Sequence, residues 1–337
     1  MKKINLAING FGRIGRAAFK VILERFPDIS VVAINDLTDP ETLAHLLKHD
    51  SCYGFYNRSL GATKDSLTIA DRKIPVLAIK DPTLLPWQKL QVDIVLECTG
   101  RFRSKEELGW HLQAGAKKVL LSAPAKKGGV KTIVLGVNEE KITKTDNLLS
   151  CASCTTNCLA PTTEVIKKNF GIKRALMTTI HSYTADQNLV DGPHKDLRRA
   201  RAAALNMVPT TTGAALATAE TIPSLKNKFD GLAVRVPTPV GSLCDTVYLL
   251  NKKTSAEAVN QAFIKAARGP MKGLIEASKE ELVSTDIVGN PHSAIVDLLS
   301  TKVIGGDLLK VIAWYDNEWG YANRLVELAA YLRKFLK

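Results

Sequence analysis

Two stretches of the 337-residue sequence carry residues whose types and spacing could do chemistry. In Ser153-Cys154-Thr155-Thr156-Asn157-Cys158, Cys154 stands where a helical pattern begins. Free N–H groups and the helix dipole at such a place stabilise a thiolate. A thiolate attacks carbonyl carbon. With an aldehyde the adduct is a hemithioacetal, whose carbon can lose hydride to a nicotinamide and leave a thioester. The thioester keeps the oxidation energy for transfer to an acceptor. This chemistry needs a base for the hydroxyl proton, and His181 in Ile180-His181-Ser182-Tyr183-Thr184 is the candidate. A histidine ending an apolar strand also has a structural reading, and the fold decides whether it reaches Cys154.

The same thiols admit other readings. Cys151-Ala152-Ser153-Cys154 is formally C-x-x-C. A redox pair of that kind sits beside a short βαβ unit, whereas this one falls mid-chain in a large α/β pattern. Cys151, Cys154 and Cys158 could begin a metal site. Cys244, His181 and His194 supply no second C-x-x-C or H-x3-H pair, so no metal is expected. Cys52, Cys98 and Cys244 read as buried, inert thiols.

Gly10-Phe11-Gly12-Arg13-Ile14-Gly15 matches G-x-G-x-x-G. The match alone says little, but it follows a strand, opens a helix, and precedes Asp36 at the end of the next strand. Gly10 permits the tight turn, Gly12 lets backbone N–H groups approach a pyrophosphate, and Gly15 lets the helix pack close to the strand. Asp36 can accept from both adenosine ribose hydroxyls and repels a 2′-phosphate, which favours NAD over NADP. The bland alternative is a glycine-rich turn with a chance acidic residue.

The elements that position these residues follow from periodicity. In the first half, Ile4–Ile8, Val31–Ile34, Ile74–Ile79, Val92–Glu97, Val119–Leu121 and Ile133–Val137 read as strands. Gly12–Arg25 and Ser104–Ala114 read as helices, the latter capped by Ser104. Strand–helix alternation predicts a parallel sheet covered on both faces. The second half has helices over Cys154–Asn169 and Thr254–Ala267, the latter with Thr254 as N-cap. Longer strands over Ala175–His181, Leu232–Val236, Leu243–Leu250, Ala294–Leu299 and Leu308–Tyr315 favour a mixed or antiparallel sheet. Leu325, Leu328, Ala329 and Leu332 share one face of a final helix over Glu318–Leu336. The class is α/β: a Rossmann-type domain over residues 1–150, then an α+β domain.

Composition sets outer limits. The chain is 45% hydrophobic and 23% charged, as in ordinary globular proteins. The basic opening resembles a secretory signal. However, Asn5, Asn9 and Arg13 interrupt the apolar run short of the required ~7–15 residues, and no run of ~18 suggests a membrane span. Six cysteines without such a signal suggest free thiols in a reducing, cytoplasmic compartment. The net charge of +13 suggests anionic partners, phosphorylated metabolites among them. Lys126-Lys127 and Lys167-Lys168 are short, scattered runs that read as solvated surface, and aromatics are 6%, so nucleic acid is not the expected partner.

Taken in order along the whole chain, the stretches resemble phosphorylating glyceraldehyde-3-phosphate dehydrogenase. They are residues 9–16 around the glycines, Glu97-Cys98-Thr99-Gly100, residues 152–158 around Cys154, His181-Ser182-Tyr183-Thr184, and Asp196-Leu197-Arg198-Arg199-Ala200-Arg201. Thr210 to Ala215, Arg235-Val236-Pro237-Thr238-Pro239 and Asn317-Glu318-Trp319-Gly320-Tyr321 complete them.

The resemblance implies roles. Cys154 would be the nucleophile and His181 the base. NAD would lie against Gly10, Phe11, Gly12, Arg13 and Ile14, with Asp36 on the ribose, Lys80 and Thr99 along the site, and Ser122 and Asn317 beside the nicotinamide half. Thr184 and Arg235 would hold the substrate's C3 phosphate. Ser153, Thr155, Thr212 and Gly213 would bind inorganic phosphate, with Arg199 nearby; hydroxyls, an N–H and guanidinium groups suit phosphate oxygens. The substrate would be D-glyceraldehyde 3-phosphate, oxidised with phosphate to 1,3-bisphosphoglycerate in glycolysis or gluconeogenesis. The last helix, 318–337, would complete the first domain and leave 151–317 as catalytic domain. Residues from about Thr184 to Ala204 would line neighbouring cofactor sites in a homotetramer. Lys80 stands where many relatives carry Arg, Cys151 is an extra thiol, and Val240-Gly241-Ser242 varies a common segment. The rival activities are erythrose-4-phosphate dehydrogenase, which differs in the phosphate-binding stretches, and a non-enzymatic redox-sensing or nucleic-acid-binding role.

Overall fold

The computed structural model describes residues 3–70, 72–126 and 128–336. Met1 and Lys2 of the basic opening, Asp71, Lys337, and Lys127 of the Lys126-Lys127 pair lie outside them. The chain divides into two compact units. One comprises Met1–Ile133, Glu140–Ala152 and Ala322–Lys337; the other comprises Val134–Glu139 and Ser153–Tyr321.

The first unit is α/β. Its sheet runs in the order Lys131–Thr132, Leu148–Ser150, Lys118–Leu121, Ile94–Glu97, Ile4–Asn9, Ile29–Asn35, Arg72–Leu77, Ser66–Ile69, Leu60–Thr63. The pairings are parallel up to Arg72–Leu77, beyond which two antiparallel strands are added. Ile4–Asn9 is buried along nearly its whole length, as expected for a strand covered on both faces. It pairs with Ile29–Asn35 on one side and Ile94–Glu97 on the other. The order therefore reverses at this strand, and a ligand crevice opens beyond the carboxyl ends of strands at such a point. The helix Arg13–Arg25 buries Ala17, Ala18, Phe19, Val21 and Ile22. Lys105–Gln113 is stopped at its start by a full capping box between Ser104 and Glu107, a device worth about 1 kcal/mol.

The sequence expectation of a strand over Ile133–Val137 fails. Only Lys131–Thr132 pairs there. Asn138 Oδ1 accepts from Val134 N at 2.8 Å and Gly136 takes φ +82°, which folds the segment into a turn. The helix Pro40–Lys48 is absent from the sequence expectations, although Asp39 as N-cap before Pro40 marks its start.

The second unit carries a seven-stranded sheet in the order Val208–Thr210, Phe229–Val236, Ile172–Ser182, Ser242–Leu250, Leu308–Tyr315, Ala294–Ile304, Ile275–Ser278. Its pairings are mixed, as read from the sequence: Ile172–Ser182 runs parallel to Phe229–Val236 and antiparallel to Ser242–Leu250. In Ser242–Leu250 every second residue is buried, so Cys244 and Tyr248 face the core. The same alternation sends Leu309, Val311, Ala313 and Tyr315 inward. The core they build takes in Cys158, Leu159 and Ile166 of the helix Cys154–Phe170, and Val259 and Phe263 of Ala256–Arg268. The latter helix is capped by Ser255, whose Oγ accepts from Ala258 N at 3.2 Å, not by Thr254, whose backbone N–H is engaged by Gly306 O.

Candidate active site

In the second unit, Ser153 is the N-cap of Cys154–Phe170: its Oγ accepts from Thr156 N at 3.1 Å. The helix therefore begins at Cys154 itself. The register of Ile172–Ser182 against Phe229–Val236 sets His181 opposite Arg235. These two local facts assemble the site. Cys154 Sγ lies 3.4 Å from His181 Nε2, so the histidine does reach the thiol.

The far side of the ring fixes its tautomer. Nδ1 is 2.7 Å from Ser182 O, which can only accept, so Nδ1 carries the ring proton and Nε2 presents a lone pair. Arg235 Nη1 donates to the same carbonyl at 3.0 Å and lies 2.9 Å from Nδ1. Burial, then the Arg235 charge, holds His181 down to about 3. Burial also pushes the Cys154 thiol up, against the opposing pull of Arg235 and of the Thr155 backbone N–H. The helix terminus that the sequence points to favours the thiolate, and desolvation opposes it. With both groups neutral, the thiol donates to the Nε2 lone pair. Either group ionised by itself is penalised, but moving the shared proton from Sγ to Nε2 makes an ion pair with no net charge.

Groups able to hold phosphate are unequal. Arg235 Nε is buried with no hydrogen-bond partner among the described residues. Thr184 is half-buried just past the strand end. Gly213 caps the helix Ala214–Thr221, and Thr212 Oγ1 accepts from Ala214 N at 3.2 Å. Arg199 is already engaged, by Thr210 Oγ1 at 3.0 Å, Thr211 O at 3.1 Å and the Asp186 carboxylate. Thr155 faces inward. Thr179 Oγ1 donates to Leu243 O at 3.0 Å, so Tyr315 OH donates to Thr179 and accepts from Thr155, at 2.8 and 2.9 Å. That chain spends the Thr155 proton. Asp186, Tyr315 and the Ser182 carbonyl were not read from the sequence; no local spacing marks them. Asn317 Oδ1 accepts from Gly241 N and Ser242 Oγ at 3.1 and 3.0 Å, which fixes its amide.

None of the six cysteines is in a disulfide; Cys244 is buried, whereas Cys52 and Cys98 are only partly so. Burial pushes Cys98 up to about 12, against a hydrogen bond from Ser122. Among the described residues no group of three His, Cys, Asp or Glu side chains could hold a metal ion, and no helix is long and apolar enough to cross a membrane.

In the first unit a cavity of about 410 Å³ opens beyond the strand ends, lined by Gly10, Gly12, Asp36, Lys80, Thr99 and Phe102 among others. The glycines meet their steric roles. A Cβ on Gly10 would lie 2.6 Å from Thr99 N, at φ +92°, and one on Gly15 would lie 2.2 Å from Gly10 O. Around Gly12 the space is open. Asp36 is pre-oriented, Oδ2 accepting from Phe11 N at 2.7 Å and Oδ1 from Thr38 N at 3.0 Å. Phe11 serves through that N–H, since its ring is wholly buried against Phe19. Arg13 opens the helix, bridged to Asp50 at 2.7 Å and lying over the Tyr53 ring, with half-buried Ile14 beside it. The open space at Gly12, the helix start without a side-chain cap and the held carboxylate fit a dinucleotide.

Comparison with known proteins agrees with this geometry. Residues 4–105 match the family described as glyceraldehyde 3-phosphate dehydrogenase, NAD binding domain, and residues 153–317 match its C-terminal domain. The chain is similar to the glyceraldehyde-3-phosphate dehydrogenase of Geobacillus stearothermophilus, 52% identical over 98% of each chain. It is also similar to that of Mycobacterium avium, 53% identical over 99% of each. Glyceraldehyde-3-phosphate dehydrogenase 1 of Bacillus subtilis is 51% identical over 98% of this chain.

Proposed function

The chain belongs to the glyceraldehyde-3-phosphate dehydrogenase family, and we propose that Cys154 and His181 carry its NAD-dependent oxidation of D-glyceraldehyde 3-phosphate to an acyl phosphate. The observation that carries this reading is the 3.4 Å contact between Sγ and Nε2 at a helix start.

As Sγ bonds to the aldehyde carbon, its proton passes to Nε2 and on to the carbonyl oxygen, giving a hemithioacetal. His181 then takes that hydroxyl proton as the C–H bond breaks, and the thioester carbonyl forms. Bound NAD supplies the hydride acceptor. An oxygen of inorganic phosphate next bonds to the thioester carbon, the C–S bond breaks, and Cys154 recovers its proton from His181. The product is 1,3-bisphosphoglycerate. A positioned base of this kind is worth roughly 10²–10⁴-fold.

Arg235 and Thr184 would hold the C3 phosphate; the unpartnered Nε of Arg235 supports that role. Gly213 and Thr212 at their helix start would take inorganic phosphate. Arg199 would join them once Asp186 releases it. Gly10, Gly12, Arg13, Ile14, Asp36, Lys80 and Thr99 would hold the cofactor, with Ser122 and Asn317 toward the nicotinamide. Leu189, Val190, Leu197, Leu205 and Met207 are all more than 70% exposed. Side chains so apolar call for a cover, and a homotetramer of a cytoplasmic enzyme would provide it.

The test is Cys154→Ser. It should lose nearly all NADH formation from glyceraldehyde 3-phosphate and still bind NAD; retention of more than a few per cent would end the thioester reading. Erythrose 4-phosphate assayed in parallel should turn over more slowly.

A further inference from the structure

Beneath the cavity of the first unit lies a polar chain that this chemistry does not use. Trp87, His111 and Glu97 are wholly buried. An indole N–H can only donate, and Trp87 Nε1 meets His111 Nδ1 at 3.0 Å. Nδ1 is therefore the acceptor, the ring carries its proton on Nε2, and Nε2–H donates to Glu97 Oε2 at 3.1 Å. Asn9 Nδ2 donates to the same oxygen at 2.6 Å. Glu97 Oε1 accepts from the backbone N–H of Thr99 at 2.8 Å and from its hydroxyl. Each of these partners is a neutral donor.

The amide orientations are fixed from the other end. Asn35 Oδ1 accepts from Ile79 N and its Nδ2 donates to Ile79 O, both at 3.0 Å. The same Nδ2 reaches Asn9 Oδ1 at 2.7 Å, so Asn9 must present Nδ2 to Glu97. The residues so held line the cavity: Asn9, Asn35, Ile79 and Thr99. Phe102, also a lining residue, stands edge-on to the His111 ring at 6.5 Å. Thr99 N is the atom a Cβ on Gly10 would strike first, so Glu97 pins the wall that faces the glycine turn.

We propose that Glu97 and His111, with the ring's tautomer set by Trp87, are positioning residues of the dinucleotide pocket, which set how tightly it holds NAD without touching the reacting atoms. The inference rests on the reading that this cavity takes the cofactor. Through Glu97 the ring bears on Asn9 and Thr99, and it meets Phe102 directly; all three line the cavity.

Two substitutions in the full chain separate the parts. His111→Asn keeps an acceptor near Nδ1 but cannot reach Glu97; His111→Gln keeps an N–H near Nε2 and gives up the Trp87 acceptor. His111→Asn should raise the Kd and KM for NAD about tenfold, roughly 1.4 kcal/mol, with kcat at saturating NAD within about twofold of the parent. His111→Gln should restore the NAD affinity while its ligand-free Tm stays below that of the parent. Calorimetric titration with NAD, thermal melts without it, and steady-state kinetics read these out. If His111→Asn lowers Tm and leaves Kd unchanged, the residue is structural and the proposal falls. Should His111→Asn fail to fold, Trp87→Phe asks the same question: a weaker NAD affinity upholds the proposal and an unchanged one overturns it. Asp36→Gly, titrated alongside, reports on the cavity itself. If it weakens NAD binding while the His111 variants do not, the pocket stands and the positioning role is lost. If none of them moves NAD, the pocket assignment falls and the proposal with it.

Discussion

Replacing His181 by Asn should make the protein more tolerant of acid while removing its base. His181 is 4% exposed. Burial and Arg235 hold it at about 3, against 6.5 for the ordinary side chain. In the unfolded chain it takes up a proton near pH 6.5; in the folded chain it does not until the pH approaches 3. Stability rises with pH wherever the unfolded state binds more protons, so the folded state loses ground as the pH falls through this window. Between pH 6 and pH 4 the loss should reach about 2.5 kcal/mol, a large share of a typical stability of about 5–15 kcal/mol. The asparagine does not titrate, and the carboxylates common to both proteins cancel in the difference. Urea unfolding of the parent and of His181→Asn at the two pH values, followed by tryptophan fluorescence, gives that difference directly. The parent should weaken more than the variant by about 2.5 kcal/mol. An equal response would contradict this, because it would mean that burial and Arg235 do not hold His181 below 6.5 in the folded protein.

Three further outcomes follow from the same geometry. Asp36→Gly should weaken NAD binding and relax discrimination against NADP, since it removes both the ribose acceptor and the charge that repels a 2′-phosphate; dissociation constants for the two dinucleotides check this. Gly10→Ala should destabilise by at least roughly 1–3 kcal/mol from its φ of +92° alone, with the contact against Thr99 N added, and a denaturant midpoint equal to the parent's would contradict it. Alkylation of Cys154 by iodoacetamide should keep accelerating above pH 9, because burial holds the thiol above its ordinary value of 9.0; a plateau near neutrality would show the thiolate formed at rest.

What the sequence made legible was local. Gly10, Gly12 and Gly15 are spaced by the sterics of one strand–turn–helix, and Asp36 ends the next strand, so that half of the site could be read in one dimension. Cys154 at a helix start was legible for the same reason. The meeting of Cys154 with His181 was not, because it depends on how the helix Cys154–Phe170 packs on a strand residue twenty-seven positions further on. Nor was the Thr155–Tyr315–Thr179 chain, which joins a helix residue to two strands that are neighbours only through Ser242–Leu250, with more than a hundred positions between its ends and Tyr315. The strand expected over Ile133–Val137 shows the converse: its apolar residues look continuous, and Gly136 with Asn138 turns the backbone. Glu97 ends an apolar strand and stands out in the sequence only as part of a motif. Its partners Trp87 and His111 lie on separate elements, and a lone histidine inside a helix carries no local sign of such a role.

The central claim is that oxidation passes through an acyl group on Cys154. Mixing the enzyme with NAD and glyceraldehyde 3-phosphate in the absence of inorganic phosphate, then quenching in acid and measuring the mass of the intact chain and its peptides, tests it most directly. The account predicts one phosphoglyceroyl group per chain, on the peptide containing Cys154, formed together with NADH, lost when phosphate is added before the quench, and absent from Cys154→Ser. NADH formed with no acyl group on the chain, or with the group on another residue, would contradict it.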